Sequence, residues 1–228
     1  MINDVVVRQA VQDDIPFIIE GIFEAEKSGG NTITSCVVFD ISADEFKELL
    51  TTLLSEDIED YDYYLSGFFI AEYNGIRIGT CGSWIEGIND LPSGMIKANM
   101  LLQNLSREKI MFGNKQVRII KDINFSREKG TIQLEHFYVV EPYRRKGVAS
   151  KIMYSIIKYY HSLNSSLEKV QGIMFKDNCK SFNLHLKNGY VETETKTSEN
   201  PEVLTVFPYK SRTLMELYGD NLIKMISK

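Results

Sequence analysis

The sequence predicts a mixed α/β fold in which strands and helices alternate around one sheet. Three observations carry this. Apolar runs at 65–73 and 76–85 flank Asn74-Gly75, the strongest short hairpin signal a sequence offers. Residues 134–149, LEHFYVVEPYRRKGVA, read as a strand that meets Pro142, a basic tripeptide, a glycine and then a helical repeat. A further strand at 170–175 runs into NCKSFNLHLKNGY at 178–190, a short helix with Asn178 as N-cap and Gly189 as a left-handed C-cap.

The remaining elements follow in order. Val5-Val6-Val7-Arg8 is a short first strand. Asp13-Asp14 opens a helix with Pro16 in its first turn, where a missing N–H does no harm. Ile15, Ile18, Ile19 and Ile22 form its apolar stripe, and Ser28-Gly29-Gly30 stops it. Ser42 and Glu45 make a capping box for a second helix carrying Phe46, Leu49, Leu50 and Leu53. An acidic, tyrosine-rich link at 56–64 leads to the hairpin. After Tyr190, strands are expected near 191–196, 203–207 and 213–218, then an amphipathic tail with Leu222, Ile223 and Ile226.

With no Pro/Gly/Ser linker and no repeat, residues 1–228 are expected to form one domain with an inserted segment at about 87–130. That segment is longer than a simple connection requires. Its spacing predicts a helix over 95–112 (Ile96, Leu101, Leu102, Leu105), broken by Gly113-Asn114-Lys115, and 117–123 suits either helix or strand. It serves either as packing on the sheet or a homodimer contact, or as a lid or wall over a substrate site.

Composition narrows the partners. Lys and Arg number 26 against 31 Asp and Glu, and the net charge of −5 argues against broad nucleic-acid binding. No apolar run is long enough for a bilayer and no signal segment opens the chain, so no membrane association and a cytoplasmic location are expected. Cys36, Cys81 and Cys179 are odd in number and scattered, which fits neither a disulfide framework nor a metal site.

The stretch 134–149 says most about function. Pro142 ends the strand because it has no N–H for the ladder. Arg144, Arg145 and Lys146 charge the turn, Gly147 permits close backbone approach, and Val148, Ile152, Ile156 and Tyr160 share one helix face. A helix N-terminus behind a basic turn is an anion site, with phosphate its natural occupant. There is no Gly-Lys-Ser/Thr run and no G-x-G-x-x-G, so neither a P-loop nor a dinucleotide fingerprint explains it.

Arg144-Arg145-Lys146-Gly147-Val148-Ala149 resembles the Arg/Gln-x-x-Gly-x-Gly/Ala signature of the GCN5-related N-acetyltransferase (GNAT) family. Residues 178–190 resemble that family's Asn-x-x-Ala-x-x-x-Tyr-x-x-x-Gly-Phe segment, matched by Asn178, Ser181, His185, Gly189 and Tyr190. Three positions depart from it: Ser181 stands for Ala, His185 for Tyr and Tyr190 for Phe. The resemblance covers most of 4–218 and is specific in 134–190. It implies a mostly antiparallel, twisted sheet flanked by helices on both faces and splayed between the fourth and fifth core strands. It also implies acetyl-CoA as cofactor, its pyrophosphate held by the Arg144–Ala149 turn and its pantetheine arm lying along the signature strand near Asn178 and Ser181. The peptide N–H of Val139 or Val140 would polarise the thioester carbonyl. The implied reaction is acetyl transfer to a primary amine, of a small molecule or a peptide, by direct attack in a ternary complex. The alternative is a non-catalytic acyl-CoA-binding sensor or partner module.

A primary amine with a pKa near ~10.4 is protonated at neutral pH and needs a base. Glu135, on the signature strand, is the first candidate, against an ordinary surface or ion-pair role; Glu86 is a weaker one. Strand alternation puts Gln133, Glu135 and Phe137 on one face and His136 and Tyr138 on the other. His185 stands where the family has a tyrosine that protonates the departing thiolate, and the alternative for it is packing. His136 is expected to be buried and hydrogen-bonded, and His161 to favour the dipole of its helix. Tyr61, Tyr63 and Tyr64 with Glu59, Asp60 and Asp62 would suit a cationic acceptor, or are packing and a solvated loop.

Overall fold

The computed structural model describes residues 4–227. Its strands are β1 (Val6–Gln9), β2 (Phe68–Tyr73), β3 (Ile76–Ile85), β4 (Ile132–Val139), β5 (Lys169–Phe175), β6 (Val191–Thr197) and β7 (Ser211–Tyr218). They form one seven-stranded sheet in the order β1-β2-β3-β4-β5-β7-β6. Every pairing is antiparallel except β4 with β5, which is parallel and registers only at Ile132↔Val170 and Gln133↔Gln171. Past Gln133 the two central strands part, as the resemblance implied.

Helices cover both faces. On one lie α6 (Val148–Leu163) and α9 (Gly219–Ile226), whose Ile152, Ile156, Ile157 and Met225 pack on Ile78, Cys81, Leu134, Val170 and Met215. On the other lie α1 (Ile15–Lys27), α3 (Ala43–Glu56) and α4 (Ser93–Asn104), meeting Phe68 and Ile70 through Ile18, Ile22, Leu50, Leu53 and Leu101. Packing, not capping, seats α1: its N-terminus has no side-chain cap, whereas Ile18 and Ile22 are fully buried. Each such isoleucine contributes roughly 2 kcal/mol, against about 1 kcal/mol for a good cap. Where α1 begins, the fully buried Asp14 accepts from Arg8 Nη1 at 2.6 Å and Arg77 Nε at 2.5 Å. Burial pushes its carboxyl up, but Arg8, the Val11 N–H and Arg77 together bring it down to about 2.

The capping box is present: Glu45 N–H donates to Ser42 Oγ at 3.1 Å and Ser42 N–H to Glu45 Oε2 at 2.7 Å. Several expectations need correction. The strand before the hairpin begins at Phe68, because Leu65–Gly67 forms a single 3-10 turn. A short helix, α2 (Thr34–Phe39), had no expectation. The inserted helix is two, α4 and α5 (Arg107–Ile119), divided where Ser106 caps the second by accepting from Lys109 N–H at 3.3 Å. Gly113 lies inside α5 and does not break it; a Cβ there would stand 2.7 Å from the Phe39 ring, so the glycine lets α2 and α5 touch. The strand expected at 203–207 is a helical turn, α8 (Val203–Val206). Val203, Val206 and Phe207 are spaced i, i+3, i+4, and bury against Val38, Ile120, Ile123 and Phe175. That cluster ties the insert to the β6–β7 connection. Met174 to Tyr190 adds α7 (Cys179–Lys187) beside the diverging strands.

Candidate active site

Three structures converge around the divergence of β4 and β5: a turn, a gap and a charged basin. The turn comes first. After β4, Glu141–Tyr143 makes one 3-10 turn and Arg144 Nε donates back to the Val139 carbonyl at 2.8 Å. Arg145 and Gly147 both take left-handed conformations, φ +61° and +87°. For arginine that backbone is strained, a feature found where a loop must curl its N–H groups around a ligand. Gly147 is the N-cap of α6 and has no side chain to occupy the first-turn N–H groups. Arg144, Arg145 and Lys146 stand exposed around them. Positive charge and free donors thus face the same space.

The gap begins where β4 leaves β5. The Val140 N–H is engaged by the Ile78 carbonyl at 3.0 Å, which removes it as a free donor and corrects that half of the expectation. In extended backbone the neighbouring N–H points the opposite way, so that of Val139 faces the side where β5 has departed. Asn178 caps α7, its Oδ1 accepting from Ser181 N–H at 3.3 Å, and Ser181 Oγ lies 3.5 Å from Met174 Sδ. His185, one helical turn on, is buried with its ring edge-on to Phe137 and Tyr190 at centroid distances of 5.9 and 4.9 Å. Its Nδ1 lies 2.9 Å from the Ser181 carbonyl, which assigns the proton to Nδ1. Among the described residues Nε2 has no hydrogen-bond partner, and it lies against Gly172, where an added Cβ would stand 3.1 Å from it. Burial pulls the ring down to about 4, so it is neutral near pH 7. In this state His185 has no proton to give a departing sulfur; it offers a bare acceptor instead.

The basin lies on the opposite face, at a bulge in β4. Thr80 pairs with Tyr138 and Gly82 with Glu135, so His136 and Phe137 together oppose the single residue Cys81. His136 takes φ +56°. The bulge breaks the expected alternation: Leu134 and Phe137 both face α6, while Glu135 faces away from them, toward Arg127. Glu135 accepts from Arg127, whose guanidinium stacks over Trp84 at 4.7 Å. His136 is half-buried, and its enclosed Nε2 has no hydrogen-bond partner among the described residues: the ring lies between those of Tyr63 and Phe68, with Nε2 3.7 Å from Asp62 and 4.0 Å from Glu135. Asp62 pairs with Lys97 at 2.5 Å, and Lys97 Nζ also sits 4.4 Å over the Tyr63 ring. Burial would raise the Asp62 carboxyl, yet Lys97 and His136 hold it well below the usual carboxylate range. Asp62, Glu135 and His136 bring ligand atoms within 4.8 Å of one another, but the carboxylate charge is already met by Lys97 and Arg127.

Other candidates fall outside the chemistry. Glu86 accepts from Trp84 Nε1 at 3.0 Å and from Ser93 N–H at 2.9 Å, so it anchors the start of α4. Asp60 is held by Asn89 Nδ2 at 2.5 Å, and Tyr61 packs edge-on behind Tyr63. His161 lies near the last turn of α6, away from the gap, beside a groove lined by Arg8, Gln9 and Tyr159. Sequence reasoning missed Lys97, Arg127 and Arg212. The first two belong to the insert and carry no local signal; Arg212 opens an apolar strand, and a charge on that strand's face was the one available hint.

Residues 37–190 match the model of the Acetyltransferase (GNAT) family. The chain belongs to the GNAT family. It is an acyltransferase, and the family's cofactor is acetyl-CoA. No curated protein matches this GNAT chain. Solved structures resemble it in fold. An N-acetyltransferase from Staphylococcus aureus Mu50 is 15% identical with a TM-score of 0.63, over 93% of this chain and 100% of that one. A spermidine N-acetyltransferase SpeG chimera from Vibrio cholerae and hSSAT is 13% identical with a TM-score of 0.54, over 99% and 100%. The yncA protein from Salmonella typhimurium, solved with its cofactor acetyl-CoA, is 14% identical with a TM-score of 0.50, over 95% and 94%. The residues of this GNAT enzyme fit that cofactor: the α6 N-terminus is uncapped, the gap is open along β4, and a buried imidazole nitrogen beside it lacks a partner. Among the described residues no helix is long and apolar enough to cross a membrane.

Proposed function

We propose that this GNAT enzyme transfers the acetyl group of acetyl-CoA to a primary amine by direct attack in a ternary complex, residues 1–228 acting as one unit. The parting of β4 from β5 between an uncapped helix N-terminus and Glu135 is the observation that carries this reading. The N–H groups of Arg145, Lys146, Gly147, Val148 and Ala149 bind the pyrophosphate, with the Arg144 and Lys146 charges around it. Asn178 and Ser181 border the pantetheine arm. When bound, the cofactor supplies a thioester whose acyl carbon is open to a neutral amine.

The Val139 N–H, aimed into the gap, stabilises charge on the carbonyl oxygen. Glu135 removes the amine's proton, directly or through water, and Arg127 must yield its hold on that carboxylate as the amine arrives. His185 is reassigned from proton donor to gap wall, because its one proton is committed to the Ser181 carbonyl. With His185 so committed, this chain places no proton donor beside a departing thiolate among the residues assigned here, and solvent would have to supply that proton. Asp62 and Lys97 keep His136 and Tyr63 in place on the acceptor side.

The test is calorimetric titration with acetyl-CoA followed by thiol release over an amine panel. Stoichiometric binding with amine-dependent thiol release is expected. Binding without release from any amine would remove the transfer step and leave only a cofactor-binding protein.

A further inference from the structure

The acceptor side contains a guanidinium that, among the described residues, no carboxylate pairs with. Arg212, the second residue of β7, lies on the face shared by Gln171 and Glu135. Of its five N–H donors, Nη1 reaches Asn124 Oδ1 at 2.9 Å. Arg8, Arg77 and Arg127, by contrast, each have a carboxylate partner. The Phe207 and Phe175 ring centroids lie 5.5 and 5.8 Å from the guanidinium carbon. Burial pulls it down to about 10, Arg127 adding to the pull and Glu135 opposing it. It is therefore a half-buried, charged fork on the same face of the sheet as the base.

The geometry points to an acceptor that carries a carboxylate as well as its amine: the amine meets Glu135 while the carboxylate takes the free edge of Arg212. This rests on the acetyl-transfer reading above and names its substrate class. A single planar fork matches a carboxylate in two parallel hydrogen bonds. A phosphate dianion would need more donors than this single fork has free, and its second charge would double the repulsion from Glu135. A polyamine would meet the unpaired charge of Arg212 with like charge, since Asp62 and Glu135 are already paired with Lys97 and Arg127.

Paired acceptors test this with the full chain and acetyl-CoA: lysine with cadaverine, arginine with agmatine, tyrosine with tyramine. In each pair the carboxylate-bearing member is expected to have a kcat/KM higher by about tenfold or more, most of it in KM. Arg212→Gln should bring the ratio near one and Arg212→Lys should restore part of it. The wild-type panel decides the matter even if the variants fold poorly. Equal or better use of the decarboxylated members would overturn the carboxylate assignment and leave acetyl transfer standing. Cofactor binding with thiol release from neither arm would overturn the transfer reading itself, and this inference with it.

Discussion

The proposed cofactor side and the proposed acceptor side of this GNAT enzyme are built differently. The first is local and made of backbone: a strand end, two left-handed residues and an uncapped helix, all within 139–149. The second is made of side chains from distant segments: Asp62 before β2, Lys97 and Arg127 in the insert, Glu135 and His136 in β4, and Arg212 in β7. A pyrophosphate asks only for N–H groups and positive potential, which one turn supplies. An amine acceptor must be recognised and deprotonated, which needs several side-chain chemistries that no single turn can present together.

If the two halves are separable, substitutions should divide their effects. Gly147→Asp should be the most damaging, since it places a Cβ at φ +87° and a negative charge at the helix N-terminus. Acetyl-CoA affinity measured by calorimetry is expected to fall at least ~100-fold, about 2.7 kcal/mol. Unchanged affinity would take the pyrophosphate away from this turn.

His185 lies between the halves, and its burial makes a prediction about stability. Its folded-state value of about 4 lies below the ordinary 6.5, so the unfolded chain binds the proton first as pH falls. The contribution is complete above about pH 6.5 and is lost as pH falls through about 4. It is worth roughly 3 kcal/mol. Denaturant unfolding at pH 7, 5.5 and 4 should show this slope in the wild type and a flatter one in His185→Phe. Parallel slopes would mean that the imidazole is not held neutral.

Glu135→Gln should lower kcat about 100-fold at fixed acetyl-CoA affinity, read by thiol release and calorimetry on the same preparation. A loss of cofactor binding instead would merge the two halves. Lys97→Met should have the smallest effect, a rise of about tenfold in the amine KM with acetyl-CoA affinity untouched. An unchanged amine KM would make the insert mere packing.

How much could be read beforehand follows the same division. Residues 134–149 and 178–190 are contiguous, so strand, Pro142, Gly147 and the Asn178 cap were visible in order. The bulge was not, because apolar alternation in LEHFYV gives no sign that His136 would take a left-handed conformation. That single feature turned Phe137 toward His185 and left Glu135 with Arg127. Periodicity likewise misassigned 203–207 and the division of the inserted helix, since short apolar runs suit either structure until their neighbours are known.

The sequence by itself determined the alternation of strands and helices, the hairpin, the Ser42–Glu45 capping box and the basic turn before α6, because each depends on residues within a few positions of one another. The tertiary structure alone decided the charged basin. Asp62 meets Lys97 and Glu135 meets Arg127 through an insert that folds back to β4, and a sheet order that puts β7 between β5 and β6 sets Arg212 on the same face. It also decided the state of His185, whose neutrality comes from the water that Phe137, Tyr190 and Gly172 exclude. Charge and protonation depend on desolvation, and desolvation depends on residues far away in the chain.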